Sequence, residues 1–138
     1  MKIYDCFQFF DEEMLLDLRL NIMNEYVDKF VITESVYMHS GKPKKLIFDI
    51  NKFSKFKDKI IYIIVDKDPP DLLKINEGER QKNINSKEHS NAYRRHIFQL
   101  EETSRGISNA EANDLIIVGD LDEIPNLEKI NFNLIKEK

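Results

Sequence analysis

The sequence contains a single cysteine, Cys6, so no disulfide can form within the chain. We interpret this cysteine as a small buried hydrophobe. Long apolar runs are missing too. Runs such as residues 60–65 fall far short of the roughly 20 residues that a bilayer span requires, so no membrane-spanning segment is predicted. The first twenty residues carry acids where a signal peptide would be continuously apolar, and a cytoplasmic location is therefore expected.

A basic excess is also absent, because 25 acidic residues outnumber 21 lysines and arginines and give a net charge of -4. A protein that binds nucleic acid nonspecifically needs a broad basic surface, so no nucleic-acid partner is expected. What is present is 41% hydrophobic and 33% charged residues. That balance is typical of a globular domain with a core, and we predict one domain over residues 1–138.

Four short apolar runs rich in Ile, Val, Phe and Tyr are interpreted as β-strands, at residues 3–10, 30–33, 60–65 and 115–118. The last two are apolar throughout, as in strands that helices cover on both faces, which favours a parallel sheet. Helical spacing lies between the runs at Leu15, Leu18 and Ile22 and at Tyr93, Ile97 and Leu100, with a shorter segment at 51–59. The alternation predicts an α/β fold of the doubly wound class, with a mostly parallel central sheet flanked by helices.

Residues at the ends of these elements predict where the helices begin and end and where loops lie. Asp11 is predicted to cap the first helix, and Arg105 with Gly106 to end the last one before the final strand. Residues 35–45 and 66–90 hold turn formers and dense charge after the second and third strands, and are predicted to be loops. Ligands of open α/β sheets bind outside the carboxyl ends of the strands, so these loops mark the side on which a ligand would bind.

Three acids, Asp120, Asp122 and Glu123, follow the last apolar run within four positions. Crowded carboxylates repel one another unless a cation lies between them, and Mg²⁺ and Mn²⁺ are suitable because they take oxygen ligands. On an extended segment Asp120 and Asp122 would share a face while Leu121 and Glu123 point away. Gly119 would let a nucleotide approach the backbone. The pattern suggests metal-bridged binding of a diphosphate; the alternative is that the acids only cap the following turn.

The acidic cluster belongs to one of five ordered segments that together span almost the whole chain. They are YDCFQFFDEEMLLDLRLN (4–21), VDKFVITES (27–35), SGKPKKL (40–46), DKIIYIIVD (58–66) and NDLIIVGDLDEIP (113–125). Together they resemble glycosyltransferase family 17. The resemblance implies a GT-A-like nucleotide-binding sandwich, UDP-GlcNAc as donor and Mn²⁺ or Mg²⁺ as cofactor. It also implies inverting transfer of N-acetylglucosamine to a glycan or glycoprotein acceptor.

The resemblance further implies roles for single residues. Asp122 would ligate the metal directly, and Asp120 would contact it through water or bind the ribose of the donor. Glu123 would support the loop or the sugar. Glu34 would contact the uracil or ribose, with an ordinary turn acid as the alternative. Arg95 matches a family arginine and would reach the donor or brace the acidic loop, unless it is an ordinary helix-surface arginine.

Basic and imidazole side chains complete the candidates. Lys42 and Lys44 lie in a turn that would aim their ammonium groups at phosphates, with a solvated basic stretch as the alternative. His96 stands where the family usually has asparagine. His39, His89 and His96 are far apart without metal-ligand spacing and are interpreted as surface residues.

Thirteen residues follow Pro125, whereas family members continue well beyond the acidic motif. That continuation supplies acceptor contacts and the carboxylate that acts as general base, so we expect a donor-binding portion truncated at its C-terminus and without a catalytic base. Two alternatives remain open: a catalytically inactive nucleotide-sugar-binding remnant, and an unrelated Mg²⁺-dependent α/β phosphotransfer-type domain. The absence of a membrane anchor suits a bacterial or viral source.

Overall fold

The computed structural model describes residues 1–136, in which four parallel strands form one sheet. The strands are β1 (Ile3–Gln8), β2 (Lys29–Ser35), β3 (Ile60–Val65) and β4 (Leu115–Val118). The predicted α/β class with a parallel sheet is confirmed, and β3 and β4 have the predicted bounds. β1 ends earlier than predicted, and β2 is longer at both ends.

The segments between the strands form α1 (Glu13–Met23) and α2 (Gln81–Glu101), and α3 (Phe132–Lys136) follows β4. The short helix predicted between β2 and β3 is a 3-10 helix, and further 3-10 turns follow α2 and β4. Their bounds are Ile50–Phe56, Glu102–Ile107 and Leu127–Lys129. Within residues 1–136, no helix combines the length and the apolar character needed to cross a bilayer.

The order of the strands across the sheet is β3-β2-β1-β4. The chain moves from β1 outward to β2 and β3, and α2 then returns it to β4 on the other side of β1. In open α/β sheets, ligands bind in the crevice outside the carboxyl ends of the strands at such a switch point. Here that crevice lies between the ends of β1 and β4, where Cys6 pairs with Val118.

Helical segments cover both faces of the sheet. On one face, α1 and the 3-10 helix Ile50–Phe56 pack into the main core, whose members include Phe7, Leu16, Leu20, Phe30, Ile32 and Phe53. The 3-10 helix Glu102–Ile107 packs on the other face against a smaller cluster of Tyr4, Cys6, Val31 and Ile63. Cys6 has no exposed surface, as predicted, and burial raises the pKa of its thiol to about 12. The thiol therefore stays protonated and unreactive at neutral pH.

The buried face of α1 differs from the predicted one. Leu18 and Ile22, which the helical spacing assigns to the core, are each 48% exposed. The buried residues of the helix are Leu16, Arg19, Leu20 and Met23. The spacing of apolar residues did not identify this face, because one of its members is Arg19, a charged residue that is paired with an acid inside the core.

Both helix starts also differ from the prediction. Glu12, and not Asp11, occupies the N-cap position of α1, and no side chain caps the helix there. The Glu12 carboxylate instead accepts hydrogen bonds from the N–H groups of Phe10 and Asp11, at 3.2 and 3.1 Å. Residues 81–90, predicted to be part of a loop, belong to α2. They are polar except for Ile84, so no apolar periodicity marks them as helical.

Gly106 lies inside the 3-10 helix Glu102–Ile107 and ends no helix, contrary to prediction. Its neighbour explains why the position is glycine. A Cβ atom at Gly106 would lie 2.3 Å from Cγ1 of Val31 on β2, closer than two carbon atoms can approach. The missing side chain thus allows this segment to pack directly on the sheet.

We expect Gly106→Ala to lower the free energy of unfolding by about 1–3 kcal/mol, because the added methyl group overpacks the contact with Val31. Urea denaturation measures this change. Gly119→Ala is the matched control, since the nearest neighbour of its Cβ atom would be Oε2 of Glu123 at 3.4 Å. That variant should change stability by less than about 0.5 kcal/mol. Equal losses in the two variants would contradict the explanation.

Candidate functional site

A cavity of about 640 Å³ opens at the carboxyl ends of β1 and β4. Its lining comes from the chain after β1 (Gln8, Phe9, Phe10, Glu12, Leu15), the end of β2 and the loop after it (Ser35, Tyr37, Met38, His39, Lys44), α2 (His96, Gln99) and the segment after β4 (Asp120, Leu121, Asp122). Four parts of the chain that are distant in sequence therefore meet at the switch point of the sheet.

The acidic segment forms a turn, so the extended geometry predicted for it is wrong. The N–H of Glu123 donates to the backbone oxygen of Asp120 at 3.0 Å, and Oε2 of Glu123 accepts from the N–H of Asp120 at 3.3 Å. Both Asp120 and Asp122 nevertheless line the same cavity. Leu121 between them is buried in the main core, although its edge also borders the cavity. The turn therefore presents two carboxylates to one space and anchors itself by the leucine.

Arg19 of α1 contacts this turn from inside the protein. Its side chain has no exposed surface, and Nε and Nη2 donate to the two carboxylate oxygens of Asp5 on β1, at 2.9 and 2.8 Å. Nη1 donates to the backbone oxygens of Asp120, Leu121 and Glu123, at 2.8, 3.1 and 3.0 Å. Sequence reasoning missed this pair. The available signal was an acid inside an apolar strand together with an arginine inside an apolar helix.

The two cavity carboxylates are chemically suited to a divalent cation. Among residues 1–136, neither Asp120 nor Asp122 takes part in an ion pair, and both side chains are exposed. The same residues contain no group of three or more His, Cys, Asp or Glu side chains arranged to hold a metal. A cation here would therefore complete its coordination with water and ligand oxygens. Mg²⁺ is usually bound in this way, by one or two carboxylates together with substrate phosphates.

Glu34 does not line this cavity. It is fully buried at the end of β2, and its carboxylate accepts from Nζ of Lys44 (2.5 Å) and the hydroxyl of Tyr62 (2.6 Å). The N–H groups of Ile47 and Phe48 donate to it as well, at 2.8 and 3.1 Å. Burial raises the pKa of Tyr62, and the hydrogen bond to Glu34 raises it further. Glu34 thus ties the loop after β2 to the sheet, and its oxygens are occupied by the protein.

The two candidate lysines lie in different surroundings. Lys44 lines the cavity, where its ammonium group contacts Glu34 and lies 5.5 Å from the ring centre of Phe10. Lys42 is exposed and lies outside the cavity lining. Its backbone oxygen accepts a hydrogen bond from the N–H of Met38 at 2.8 Å, which helps to close the turn.

Arg95 braces the loop after β2 and lies outside the cavity lining. Its Nε donates to Asp68 at 2.7 Å, and Nη1 donates to the backbone oxygen of His39 at 3.3 Å. The guanidinium also packs against Gly41, where a Cβ atom would lie 2.7 Å from it and where φ is +87°. Glycine at that position therefore serves both the backbone conformation and the close approach of Arg95.

His39 and His96 meet in the cavity although they are far apart in sequence. His39 is exposed, as predicted, whereas His96 is half-buried and departs from the prediction of a surface residue. Their ring centres are 5.2 Å apart, and Nε2 of His39 is 3.2 Å from Oε1 of Gln99. Nε2 of Gln8, at the end of β1, lies 3.5 Å from Nδ1 of His96. Burial lowers the pKa of His39 and so does the neighbouring His96, while Gln99 and Asp120 act in the opposite direction. His89 is exposed, as predicted.

The strand order and the cavity define a doubly wound α/β protein with an acid-lined ligand cavity at its switch point. The chain belongs to glycosyltransferase family 17, whose family model matches residues 1–137. The predicted resemblance is thereby confirmed, and the parallel sheet flanked by helices is compatible with a GT-A-like fold.

Three relatives carry the name beta-1,4-mannosyl-glycoprotein 4-beta-N-acetylglucosaminyltransferase. The human protein is 30% identical over 122 residues, which cover 86% of this chain and 21% of the human one. The Rattus norvegicus and Mus musculus proteins are 30% and 29% identical over the same length and are covered to 20%. The chain thus spans about a fifth of the length of these relatives. No solved structure matches the chain.

Proposed function

We propose that this chain binds the nucleotide-sugar donor of a glycosyltransferase, with Mn²⁺ or Mg²⁺ shared between the acidic turn and the donor diphosphate. By analogy with the named relatives, the donor is UDP-GlcNAc, and the reaction is inverting transfer of N-acetylglucosamine to a glycan or glycoprotein. One observation carries the proposal. Asp120 and Asp122 lie without a protein counter-ion, among the described residues, in a cavity at the switch point of a parallel sheet.

The chemistry of the cavity supports a nucleotide. Its volume of about 640 Å³ lies within the range of small-molecule and cofactor sites, roughly 300–1,000 Å³. The rings of Phe10 and Tyr37 offer apolar surface for a base, while Gln8 and Gln99 offer amide donors and acceptors. The acidic turn would repel a bare diphosphate, so a bridging cation is the natural complement of these walls.

Each acidic residue of the turn would have a different role in binding the cation and the donor. Asp122 would ligate the cation directly, Asp120 would reach it through water or bind the ribose, and Glu123 would hold the N–H of Asp120 in place. When bound, the cation would offset the negative charge of the diphosphate and of the departing nucleotide. Lys44 lines the wall formed by the loop after β2, where its ammonium group is paired with the carboxylate of Glu34.

The chain supplies the donor half of the reaction in this proposal. Besides the two aspartates, Glu12 is the carboxylate that lines the cavity. Its Oε2 already accepts hydrogen bonds from the N–H groups of Phe10 and Asp11, which hold it at the end of β1. We therefore assign no general base for the acceptor hydroxyl to this chain. A noncatalytic nucleotide-sugar-binding module is the second candidate, favoured by the two backbone hydrogen bonds that already occupy the Glu12 carboxylate.

Calorimetric titration of UDP tests the proposal. We expect UDP to bind at least about tenfold more tightly with Mn²⁺ than with a chelator, because the cation bridges carboxylates and diphosphate. A turnover assay with UDP-GlcNAc separates the transferase from the noncatalytic module. Equal affinity for UDP with and without metal would refute the bridging role. Binding of inorganic pyrophosphate as tight as that of UDP would favour a phosphotransfer-type domain.

A further inference from the structure

The buried pair of Asp5 and Arg19 lies directly behind the acidic turn. One guanidinium offers five N–H donors in a rigid fork. Here one edge of that fork is used by the carboxylate of Asp5, and the two N–H groups of the remaining nitrogen, Nη1, are shared among three backbone oxygens of a single turn. A lysine would present one ammonium group at the end of a flexible stem and could not make both sets of contacts.

We propose that Arg19 is the positioning residue of the cation site, and that Asp5 holds its guanidinium in the required plane. The inference rests on the proposed function, because positioning has a purpose only if Asp120 and Asp122 bind a cation. Arg19 would act through the backbone of the turn. Its own charge is matched by Asp5 at 2.8 Å inside the core, so it is not an independent attraction for the donor.

Burial of the pair makes a purely stabilising role an insufficient explanation. Both side chains have no exposed surface, and removing two charges from water costs so much that well-packed apolar residues often serve equally well. What apolar residues could not supply is a set of donors for the oxygens of Asp120, Leu121 and Glu123. Without Arg19, the hydrogen bonds left on residues 120–123, counted over the part of the chain that the structure describes, would be the two between Asp120 and Glu123.

The geometry of the turn explains how Arg19 would set the direction of the carboxylates. Its backbone oxygens converge on Nη1 within 2.8–3.1 Å, while Asp120 and Asp122 line the cavity. By fixing the peptide planes of the turn, Arg19 would restrict the positions of the Cα atoms from which the Asp120 and Asp122 side chains extend. A site to which the chain contributes only the carboxylates of Asp120 and Asp122 depends on this restriction, because functional groups must be held within about 0.5 Å of the productive geometry.

The test compares Arg19→Lys with Met23→Ala. Met23 is fully buried in the last turn of α1, which leads to the amino end of β2, whereas the acidic turn follows the carboxyl end of β4. Both variants should lower the melting temperature. In Arg19→Lys we expect the apparent Mn²⁺ dissociation constant with UDP present to rise about 10- to 100-fold, as for other residues that orient metal ligands. UDP binding in chelator should stay unchanged. Met23→Ala should keep Mn²⁺ affinity within about twofold of the wild type.

Equal Mn²⁺ affinity in Arg19→Lys and the wild type, or equal losses in the two variants, would overturn the proposal. If Arg19→Lys does not fold, Asp5→Asn replaces it, and an unchanged Mn²⁺ affinity there has the same meaning. Amide hydrogen exchange at Glu123 needs no ligand and should be faster in Arg19→Lys than in Met23→Ala. A wild type that binds no Mn²⁺ with UDP would refute the proposed function, and equal Glu123 exchange in the two variants would refute the bracing of the turn.

Discussion

Asp122→Ala is expected to weaken Mn²⁺-dependent UDP binding by at least about 100-fold. Loss of a group that merely orients a metal ligand costs about 10- to 100-fold in metal affinity, so loss of a direct ligand should cost at least as much. Asp122 is the carboxylate to which we assign direct contact with the cation, and without it Asp120 would reach the cation through water at most. Calorimetry with UDP at saturating Mn²⁺ measures the change. Asp120→Ala should show a smaller loss, since we assign Asp120 a contact through water or to the ribose.

Asp17→Ala is the matched control for that substitution. It removes an exposed aspartate from α1 and changes the net charge equally, but Asp17 lies outside the cavity lining. UDP affinity with Mn²⁺ should remain within about twofold of the wild type, because exposed charges at a distance are screened by salt. In chelator, the wild type and Asp122→Ala should bind UDP equally weakly. A loss of affinity in Asp122→Ala that is the same size with and without metal would show that Asp122 acts by another route.

Local patterns predicted the sheet well. β3 and β4 were predicted with their observed bounds because each is apolar throughout and bordered by charged residues or, after β4, by a glycine. α2 was predicted in its second half alone, since its first half carries no apolar stripe. That helix is held partly by buried amides, for example Asn91, whose side chain bonds both the N–H and the backbone oxygen of Leu73 at 2.7 and 2.9 Å. Hydrophobic periodicity cannot reveal a helix that is held by polar tertiary contacts.

Sequence patterns likewise identified only part of the candidate site. The acidic cluster could be recognised because its residues are neighbours in sequence, although the turn that it forms was not predicted. The partners of Arg19, His39 and His96 could not be found in this way, since each pair joins different elements and depends on the order of strands. An arginine scored as polar can be a core residue once an acid faces it, which is why the buried stripe of α1 was displaced.

The loop after β2 shows how residues outside the cavity determine its shape. Its residues Tyr37, Met38, His39 and Lys44 line the cavity. The contacts that hold the loop in place are made largely by residues outside the cavity lining. Glu34 holds its later part, and Arg95 packs against its turn at Gly41. Both residues were candidates for contact with the donor, with a turn acid as the alternative for Glu34 and a brace of the acidic loop or a surface arginine as the alternatives for Arg95. The structure places both against the loop after β2. Substitutions at either position should therefore change ligand binding indirectly.

Glu34→Ala is expected to lower the free energy of unfolding by about 3–5 kcal/mol, the range for breaking a buried ion pair by removing one partner. The substitution leaves the Lys44 ammonium without its carboxylate in a site where that side chain is 7% exposed. It also deprives the Tyr62 hydroxyl and the N–H groups of Ile47 and Phe48 of their acceptor. Chemical denaturation measures the loss. Glu34→Gln should lose less, because the amide keeps one acceptor oxygen.

Glu13→Ala supplies the comparison, since Glu13 pairs with Lys52 at 2.7 Å on the surface, where the two side chains are 40% and 55% exposed. Removing that pair should change stability little, because exposed ion pairs are solvated and screened. Under conditions where Glu34→Ala remains folded, its affinity for UDP with Mn²⁺ should also fall, although Glu34 touches no part of the cavity. Unchanged affinity in a destabilised Glu34→Ala would mean that the loop after β2 is positioned without Glu34 and that Arg95 and the sheet suffice to hold it.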